Sequence, residues 1–206
     1  MPRIDSVQRT DKKSAILDAA ERCFARSGFH GASMSEICAE AGMSPGNLYR
    51  YFRSKEQMIE GLCERDLAAA AHGFDALATA PDLWTAFRAL AHMHLVEEPR
   101  DSCAVWIETL SEVARNPQIA ALRLRTDNFI HEKLLGALKI AQSRGQTAPH
   151  ADLERTVQFM MTFADGLMLR RVRDEAFDPA PHLEIMFEVM RTMLLAPLLP
   201  SNDNIT

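Results

Sequence analysis

The residues from Gly42 to Glu56 carry side chains suited to contacts with phosphate and with the edges of nucleic-acid bases. Two tyrosines, two arginines and a lysine lie within positions 49–55, and small residues precede them. Arginine, lysine and tyrosine donate hydrogen bonds to phosphate, and arginine also reads guanine in the major groove. A stretch with so little apolar bulk is a poor core builder, so it indicates a partner outside the chain.

Local signals place this stretch on a short helix between two longer ones. A capping box at 33–36 predicts the start of the preceding helix, and Gly42 predicts its end. Ser44 caps the short helix, and Pro45 fits its first turn because its missing N–H would be unpaired there. Leu48 and Phe52 lie four apart and face inward, which leaves the side chains between them to face a partner.

The rest of the chain shows helical periodicity and no sustained strand pattern. Residues 3–13 lack an apolar stripe and are predicted to form a mobile basic arm, and the helix that follows ends at Gly28. The fourth helix begins after Ser54 and extends to about Ala78, and five more helices follow it. The predicted fold class is all-α with about nine helices, the first three forming a helix-turn-helix domain.

The charge distribution favours a protein that touches nucleic acid with one end only. The net charge of -5 argues against nucleic-acid binding by itself. Residues 1–55, however, hold nine Lys/Arg and six Asp/Glu, a net of +3, whereas the remainder has a net of -8. A basic front and an acidic back therefore support phosphate contact by the N-terminal domain.

Other classes of protein find no support in the sequence. No run of about 18 apolar residues and no secretory signal is present, so we expect a cytoplasmic chain without a membrane partner. The four cysteines are predicted to be buried free thiols, with a redox-sensing pair as the alternative. His92 and His94 point in different directions on a helix, so they cannot share one metal ion. We expect no enzyme, no cofactor and no metal site.

The segment Phe24–Glu56, FARSGFHGASMSEICAEAGMSPGNLYRYFRSKE, closely resembles the DNA-binding domain of TetR/AcrR (tetracycline-repressor-type) transcriptional regulators. The similarity is dense over about residues 13–60, and the segment Glu112–Pro117 also looks like a feature of many members. The resemblance implies a DNA-binding domain over residues 1–56 and a helical ligand-binding and dimerisation domain over 57–200. Residues 201–206 are predicted to be a disordered tail.

The resemblance also implies how the chain binds a palindromic operator in double-stranded DNA. The N-terminal end of the short helix would enter the major groove, where small residues let the backbone approach the bases. Lys55 matches the phosphate-binding lysine of the family. The candidate DNA contacts are Ser33, Ser44, Pro45, Gly46, Asn47, Tyr49, Arg50, Tyr51 and Lys55.

Several of these residues have a second interpretation. Ser33 and Ser44 cap helices whatever the function, and Tyr49 is partly a core candidate. Arg50 replaces what is often an aromatic residue or a histidine in the family, and it would either read guanine or hold a phosphate. Arg53 is interpreted as a solvated charge.

For the C-terminal domain, the resemblance implies a small-molecule effector and a homodimer formed through the last two helices. The Met-rich faces of those helices would otherwise be bundle core. The composition favours an apolar effector, with core packing the equal alternative for each aromatic residue. The candidate ligand-binding residues are His92, Met93, Trp106, Arg125, Phe129, Phe159 and Phe163.

These observations predict a ligand-responsive, sequence-specific DNA-binding transcriptional regulator, and in particular a homodimeric repressor that a small apolar effector releases from its operator. The alternative is a ligand-binding or protein-interaction module of the same fold that does not bind an operator. The presence of Gly46, Tyr49, Tyr51 and Lys55 favours the first interpretation.

Overall fold

A computed structural model describes the backbone of residues 3–195 and the side chains of residues 11–195. The described residues form nine helices and no β-strand, which confirms the predicted all-α class. The predicted tail at 201–206 lies outside the described residues. The helices are α1 (Arg3–Gly31), α2 (Met34–Glu40), α3 (Pro45–Leu48), α4 (Lys55–Thr79), α5 (Leu83–Leu95), α6 (Arg100–Val113), α7 (Pro117–Ser143), α8 (Leu153–Arg173) and α9 (Ala180–Leu195).

The first helix begins earlier than the sequence pattern indicates. Residues 3–13, predicted to be a mobile arm, continue α1 as helix, so that prediction is wrong for the backbone. Helix propagation explains why residues 3–13 are helical. The rest of α1 is already packed through its apolar stripe, and each residue added to such a helix gains one hydrogen bond. At the other end Gly28 breaks the helix, as predicted, with a φ of 70° that side chains rarely adopt.

The chain forms two compact units that interleave along the sequence. Unit 1 contains the described residues up to Ala70 together with Glu98–Asp127. Unit 2 contains Ala71–Glu97 and the described residues from Asn128 onward. Unit 1 therefore includes α6 and the start of α7 in addition to the predicted helix-turn-helix domain, and the functional boundary at residue 56 stays a prediction.

The core of unit 1 holds the helix-turn-helix motif in place. Leu48 of α3 is fully buried and Phe52 is 3% exposed, which confirms that these two residues face inward. They join a cluster with Ile16 and Phe24 of α1 and Ile37 of α2. Among the described helices, α1 and α6 make the most extensive contact, so α6 is part of the support of the motif.

Unit 2 is a helical bundle in which α8 and α9 pack on each other and both contact α5. Its buried residues include Phe87 of α5, Val157 and Met160 of α8, and Met186 and Met190 of α9. Part of the Met-rich face of the last two helices is therefore core within one chain. The opposite faces keep apolar residues exposed, and these matter for the assembly proposed below.

Candidate nucleic-acid interface

The N-terminus of α2 satisfies its own polar groups. The Glu36 N–H donates to Ser33 Oγ at 3.2 Å, and the Ser33 N–H donates to Glu36 Oε2 at 2.7 Å, which completes the predicted capping box. The Ser33 hydroxyl also donates to Glu36 Oε2 at 3.0 Å. These hydrogen bonds from Ser33 hold the pKa of the Glu36 carboxyl below its usual range.

The N-terminus of α3 is built differently. Gly42 adopts a φ of 62° and turns the chain out of α2, and Ser44 is the extended N-cap residue, with Pro45 in the first turn. The Ser44 hydroxyl makes no capping hydrogen bond. A hydroxyl that the helix does not use remains available to a partner molecule.

The outer face of α3, which continues into Tyr49 and Arg50 of the turn that follows it, carries polar side chains without hydrogen-bond partners in the described part of the chain. Tyr49 is 48% exposed, Arg50 is exposed and Asn47 is half-buried, and no described side chain hydrogen-bonds to them. Gly46 has open space where a Cβ would be, so nothing crowds this face. Tyr51 packs against the buried cluster and is half-buried, so it belongs partly to the core.

Lys55, the first residue of α4, points back into its own domain. Its ammonium donates to the carbonyl oxygens of Phe29 and of Ala32, the latter at 2.8 Å, and lies 3.5 Å from that of His30. It also lies 4.7 Å from the centre of the Phe29 ring. An ammonium has three donors, so residues 29–32, which form the end of α1 and the start of its link to α2 (the α1–α2 turn), occupy most of its hydrogen-bonding capacity. Its phosphate contact stays a prediction.

Two carboxylates of α6 contact the same turn. The Phe29 N–H donates to Glu108 Oε2 at 3.0 Å, and His30 Nε2 lies 3.0 Å from Glu112 Oε1. Glycine suits the positive φ at position 28, and a Cβ there would lie 3.2 Å from Glu108 Oε2, so a larger residue would also displace this carboxylate slightly. Glu112 is only 3% exposed. For Glu112 alone the sequence contains a signal, because it lies on one helical face with Val105 and Thr109, and all three residues are buried.

Within unit 2, the structure brings two of the candidate ligand-binding residues together. The rings of Phe159 and Phe163 lie 5.6 Å apart and line a cavity of about 320 Å³, with Leu167 and Phe177 among the other lining residues. Phe129 instead packs edge-to-face on Phe74 at 6.3 Å. The lining of the cavity does not include His92, which pairs with Glu97, or Met93, which is exposed.

The other two candidates belong to unit 1. The side chain of Trp106 lies under the guanidinium of Arg123, whose Cζ is 5.4 Å from the ring centre. Arg125 is exposed and pairs with Glu60 at 3.2 Å, on the lining of a mainly polar cavity of about 370 Å³. Arg125 and His92 are the polar candidates for a ligand site predicted from the sequence, whereas the structure buries Arg123, two positions before Arg125, to 7% exposure.

Two sequence profiles match the chain. One, described as bacterial regulatory proteins of the tetR family, matches residues 16–62. The other, described as the C-terminal domain of BetI-type transcriptional repressors, matches residues 83–195, more than half of the chain. The first profile covers the helix-turn-helix motif, including the exposed face of α3.

Individual proteins of this family are similar over most of their length. The transcriptional regulator UidR of Escherichia coli is 29% identical over 160 residues, covering 76% of this chain and 79% of UidR. The regulator BetI of Rhizobium meliloti is 28% identical over 166 residues, covering 78% of this chain and 77% of BetI. The structure of GusR from Salmonella enterica superposes with a TM-score of 0.76 at 26% identity, covering 89% and 95% of the two chains.

These similarities settle the class of protein. The matched families and the relatives are transcriptional regulators, which confirms that the chain is not an enzyme. Among the described helices, none is long and apolar enough to cross a bilayer. The chain therefore belongs to the TetR family of bacterial DNA-binding transcriptional regulators.

Proposed function

We propose that the protein is a homodimeric repressor that acts in the cytoplasm and leaves a palindromic operator when a small, mainly apolar effector binds. The observation that carries this proposal is the outer face of α3. These polar side chains have no hydrogen-bond partner in the described part of the chain, so they are free to bind a polar surface. The phosphates and base edges of DNA provide such a surface.

On this face, each side chain has a proposed role. Arg50 reaches a base edge or a phosphate, Asn47 reads a base, and Tyr49 and Tyr51 donate to phosphate oxygens. Ser44, Pro45 and Gly46 present a small surface that lets the backbone approach the groove. Ser33 and Lys55 are proposed to approach phosphates at the neighbouring helix ends, in addition to the hydrogen bonds that they make within the chain.

The proposed homodimer uses the outer faces of α8 and α9. Leu169 of α8 is 48% exposed, and Ile185 and Val189, four apart on one face of α9, are 49% and 37% exposed. A second copy of this chain would bury these apolar residues against the same residues of its own, as two-fold interfaces do. A dimer also supplies two recognition helices for half-sites about 34–36 Å apart.

The proposed effector response is a two-state equilibrium in which the effector binds better to the state that does not bind DNA. The cavity beside Phe159 and Phe163 supports a small apolar ligand, because Phe177 adds a third aromatic side chain to its lining. The hydrogen bonds of Glu108 and Glu112 to the α1–α2 turn support α6 as the element that reaches the motif.

Fluorescence anisotropy with a labelled duplex from the region upstream of the protein's own gene tests this proposal. We expect binding of one dimer to a duplex with two half-sites, and weaker binding when one half-site is scrambled. Affinity equal to that for a random duplex of the same length would contradict operator binding and would favour a ligand-binding or protein-interaction module.

A further inference from the structure

A buried guanidinium in unit 1 has a hydrogen-bond donor that nothing in the described chain uses. Arg123 of α7 is 7% exposed, and its Nη2 donates to Asp127 Oδ1 at 2.5 Å. Its Nε has no hydrogen-bond partner among the described residues. Because arginine stays protonated in proteins, this buried N–H keeps its need for an acceptor oxygen.

A second unsatisfied group lies three residues further along the same helix. Thr126 is 6% exposed, and its hydroxyl also lacks a hydrogen-bond partner in the described part of the chain. Residues three apart on a helix are neighbours on its surface, so the two groups share one face of α7. Buried polar groups are nearly always paired, and two adjacent exceptions indicate a place for oxygen atoms that the chain does not supply.

An aromatic side chain from another helix adjoins these donors. The indole of Trp106 in α6 lies 5.4 Å from Arg123 Cζ, and Trp106 itself is half-buried. Cys63 of α4 lies near enough for the Arg123 charge to act on its thiol, although burial, the larger effect, raises the pKa of that thiol to about 11. The thiol therefore stays neutral, although the carboxylates of Asp66 and Glu60 on the same helix also act on it.

We infer that Trp106, Arg123 and Thr126 form a binding site for a small carboxylate with a planar, apolar body. A carboxylate fits the side of a guanidinium through Nε and Nη2 together, whereas Asp127 is hydrogen-bonded through Nη2 alone. The ligand's carboxylate replaces that of Asp127 as the hydrogen-bond partner of Arg123 and also accepts a hydrogen bond from the Thr126 hydroxyl. Its apolar body packs against Trp106.

The exchange keeps one counter-charge on the buried cation. The Asp127 side chain is 42% exposed, so after displacement its carboxylate can be solvated. Removing the partner of a buried charge is strongly unfavourable, and the incoming carboxylate avoids this by taking the place of Asp127.

Occupation of this site has a path to the DNA-binding motif within unit 1. Trp106 is on α6, and Glu108 and Glu112, further along the same helix, hold Phe29 and His30 at the α1–α2 turn. A ligand that shifts Trp106 acts on the helix that supports this turn. The expected consequence, weaker DNA binding, rests on the proposed function, whereas the binding site does not.

Tryptophan fluorescence of the full chain tests the site. The sequence has two tryptophans, so Trp84→Phe leaves Trp106 as the sole reporter. We expect sodium benzoate to change its emission saturably, and benzamide, which has the same shape without the charge, to bind at least about 10-fold more weakly. No saturable change with benzoate up to its solubility limit, in a protein with a native circular dichroism spectrum, would overturn the site.

Three variants locate the binding at these residues. Arg123→Gln should abolish the benzoate response. Asp127→Asn should tighten benzoate binding several-fold because the competing carboxylate is gone, which a site elsewhere would not show. Thr126→Val should weaken binding and raise Tm by about 2–4 °C, since an unpaired buried hydroxyl is removed without a change of shape. Unchanged benzoate binding in Asp127→Asn and Thr126→Val would overturn the assignment even if Arg123→Gln fails to fold.

DNA binding measured with and without benzoate separates the two proposals. Benzoate should lower the DNA affinity of the parent chain, with a smaller effect in Thr126→Val. A response at Trp106 with unchanged DNA affinity would overturn the regulatory consequence and support the binding site. Absence of specific DNA binding without benzoate would contradict the proposed function, whatever the fluorescence titration shows.

Discussion

Both α2 and α3 have a serine as their N-cap residue, but only the hydroxyl of Ser33 forms a capping hydrogen bond. Around Ser33, Glu36 accepts hydrogen bonds from the backbone N–H and from the hydroxyl, and the hydroxyl accepts one in return. Ser44 has the extended N-cap backbone but no capping hydrogen bond from its side chain. Lys55, at the start of α4, resembles Ser33, because its ammonium is bound to carbonyls of the α1–α2 turn.

The residues that stabilise the motif are therefore different from those of the outer face of α3 that are proposed to contact DNA. Groups at the starts of α2 and α4 stabilise the motif, and their loss should lower the free energy of unfolding. Groups on the outer face of α3, from Ser44 to Arg50, add little to stability and should matter only when DNA is present. Five predictions at single positions test this division, beginning with the largest expected effect on stability.

Replacing Lys55 with methionine should lower the free energy of unfolding by about 2 kcal/mol, because it removes a charged donor from carbonyls of the α1–α2 turn. Urea denaturation of Lys55→Met measures this loss, with Lys12→Met as an exposed control on α1. Equal stability of the two variants would contradict the supporting role.

The salt dependence of DNA binding tests the second role proposed for Lys55. If its ammonium also neutralises a phosphate, Lys55→Met and Lys55→Ala should weaken binding to every sequence and reduce the slope of log K against log salt by about 1. An unchanged slope would remove Lys55 from the phosphate contacts and leave it a purely structural residue.

Replacing Arg50 with alanine should lower operator affinity by about 10- to 100-fold without changing Tm, because the side chain is exposed and its proposed contacts are with DNA alone. Anisotropy titrations measure the affinity, and Arg53→Ala provides the matched control, an exposed arginine interpreted as a solvated charge. Equal effects of the two substitutions would mean that Arg50 contributes only general charge.

The two cap serines form a matched pair for measurements of stability. Ser33→Ala should cost about 1 kcal/mol, because it removes the capping box, and Ser44→Ala only a few tenths, because its hydroxyl caps nothing. Thermal denaturation of the two variants measures the difference. If Ser44→Ala is the more destabilising, the two helix starts do not differ as described.

The capping box should also produce a small dependence of stability on pH. The pKa of Glu36 is lowered below its ordinary value of 4.5, chiefly by the Ser33 N–H, so the ionised carboxylate stabilises the folded state. This contribution is present above pH 4.5 and disappears as the pH falls through the lowered pKa. Glu36→Gln should therefore be less stable than the parent at pH 7, the difference should shrink as the pH falls below 4.5, and a constant difference would contradict the assignment.

Sequence patterns predicted the local features of the motif well. The capping box, the turn at Gly42, the break at Gly28 and the inward pair Leu48 and Phe52 all depend on neighbours within a few residues, and the structure confirms each of them. The exposure of the outer face of α3 could be predicted from the same pair, because a short helix that buries its apolar side exposes the opposite side to solvent.

Features that depend on contacts between distant segments could not be predicted from the sequence. Lys55 finds its carbonyls some 25 residues away, and Glu108 contacts the α1–α2 turn across 79 positions, so no local pattern reports either contact. Arg123 could have been recognised, since it lies next to the buried Leu122 on the inner face of α7. A basic residue at an apolar position is a stronger indication of a site than the exposed Arg125 chosen from sequence.

The most direct test of the central claim is a triple substitution on the outer face of α3. Anisotropy titrations with the upstream duplex would compare the parent chain with Asn47→Ala/Tyr49→Ala/Arg50→Ala, and thermal denaturation would be measured on the same samples. We expect operator affinity to fall at least about 100-fold, to the level of a random duplex, while Tm stays within about 2 °C of the parent. Retained operator affinity in the folded variant would contradict it.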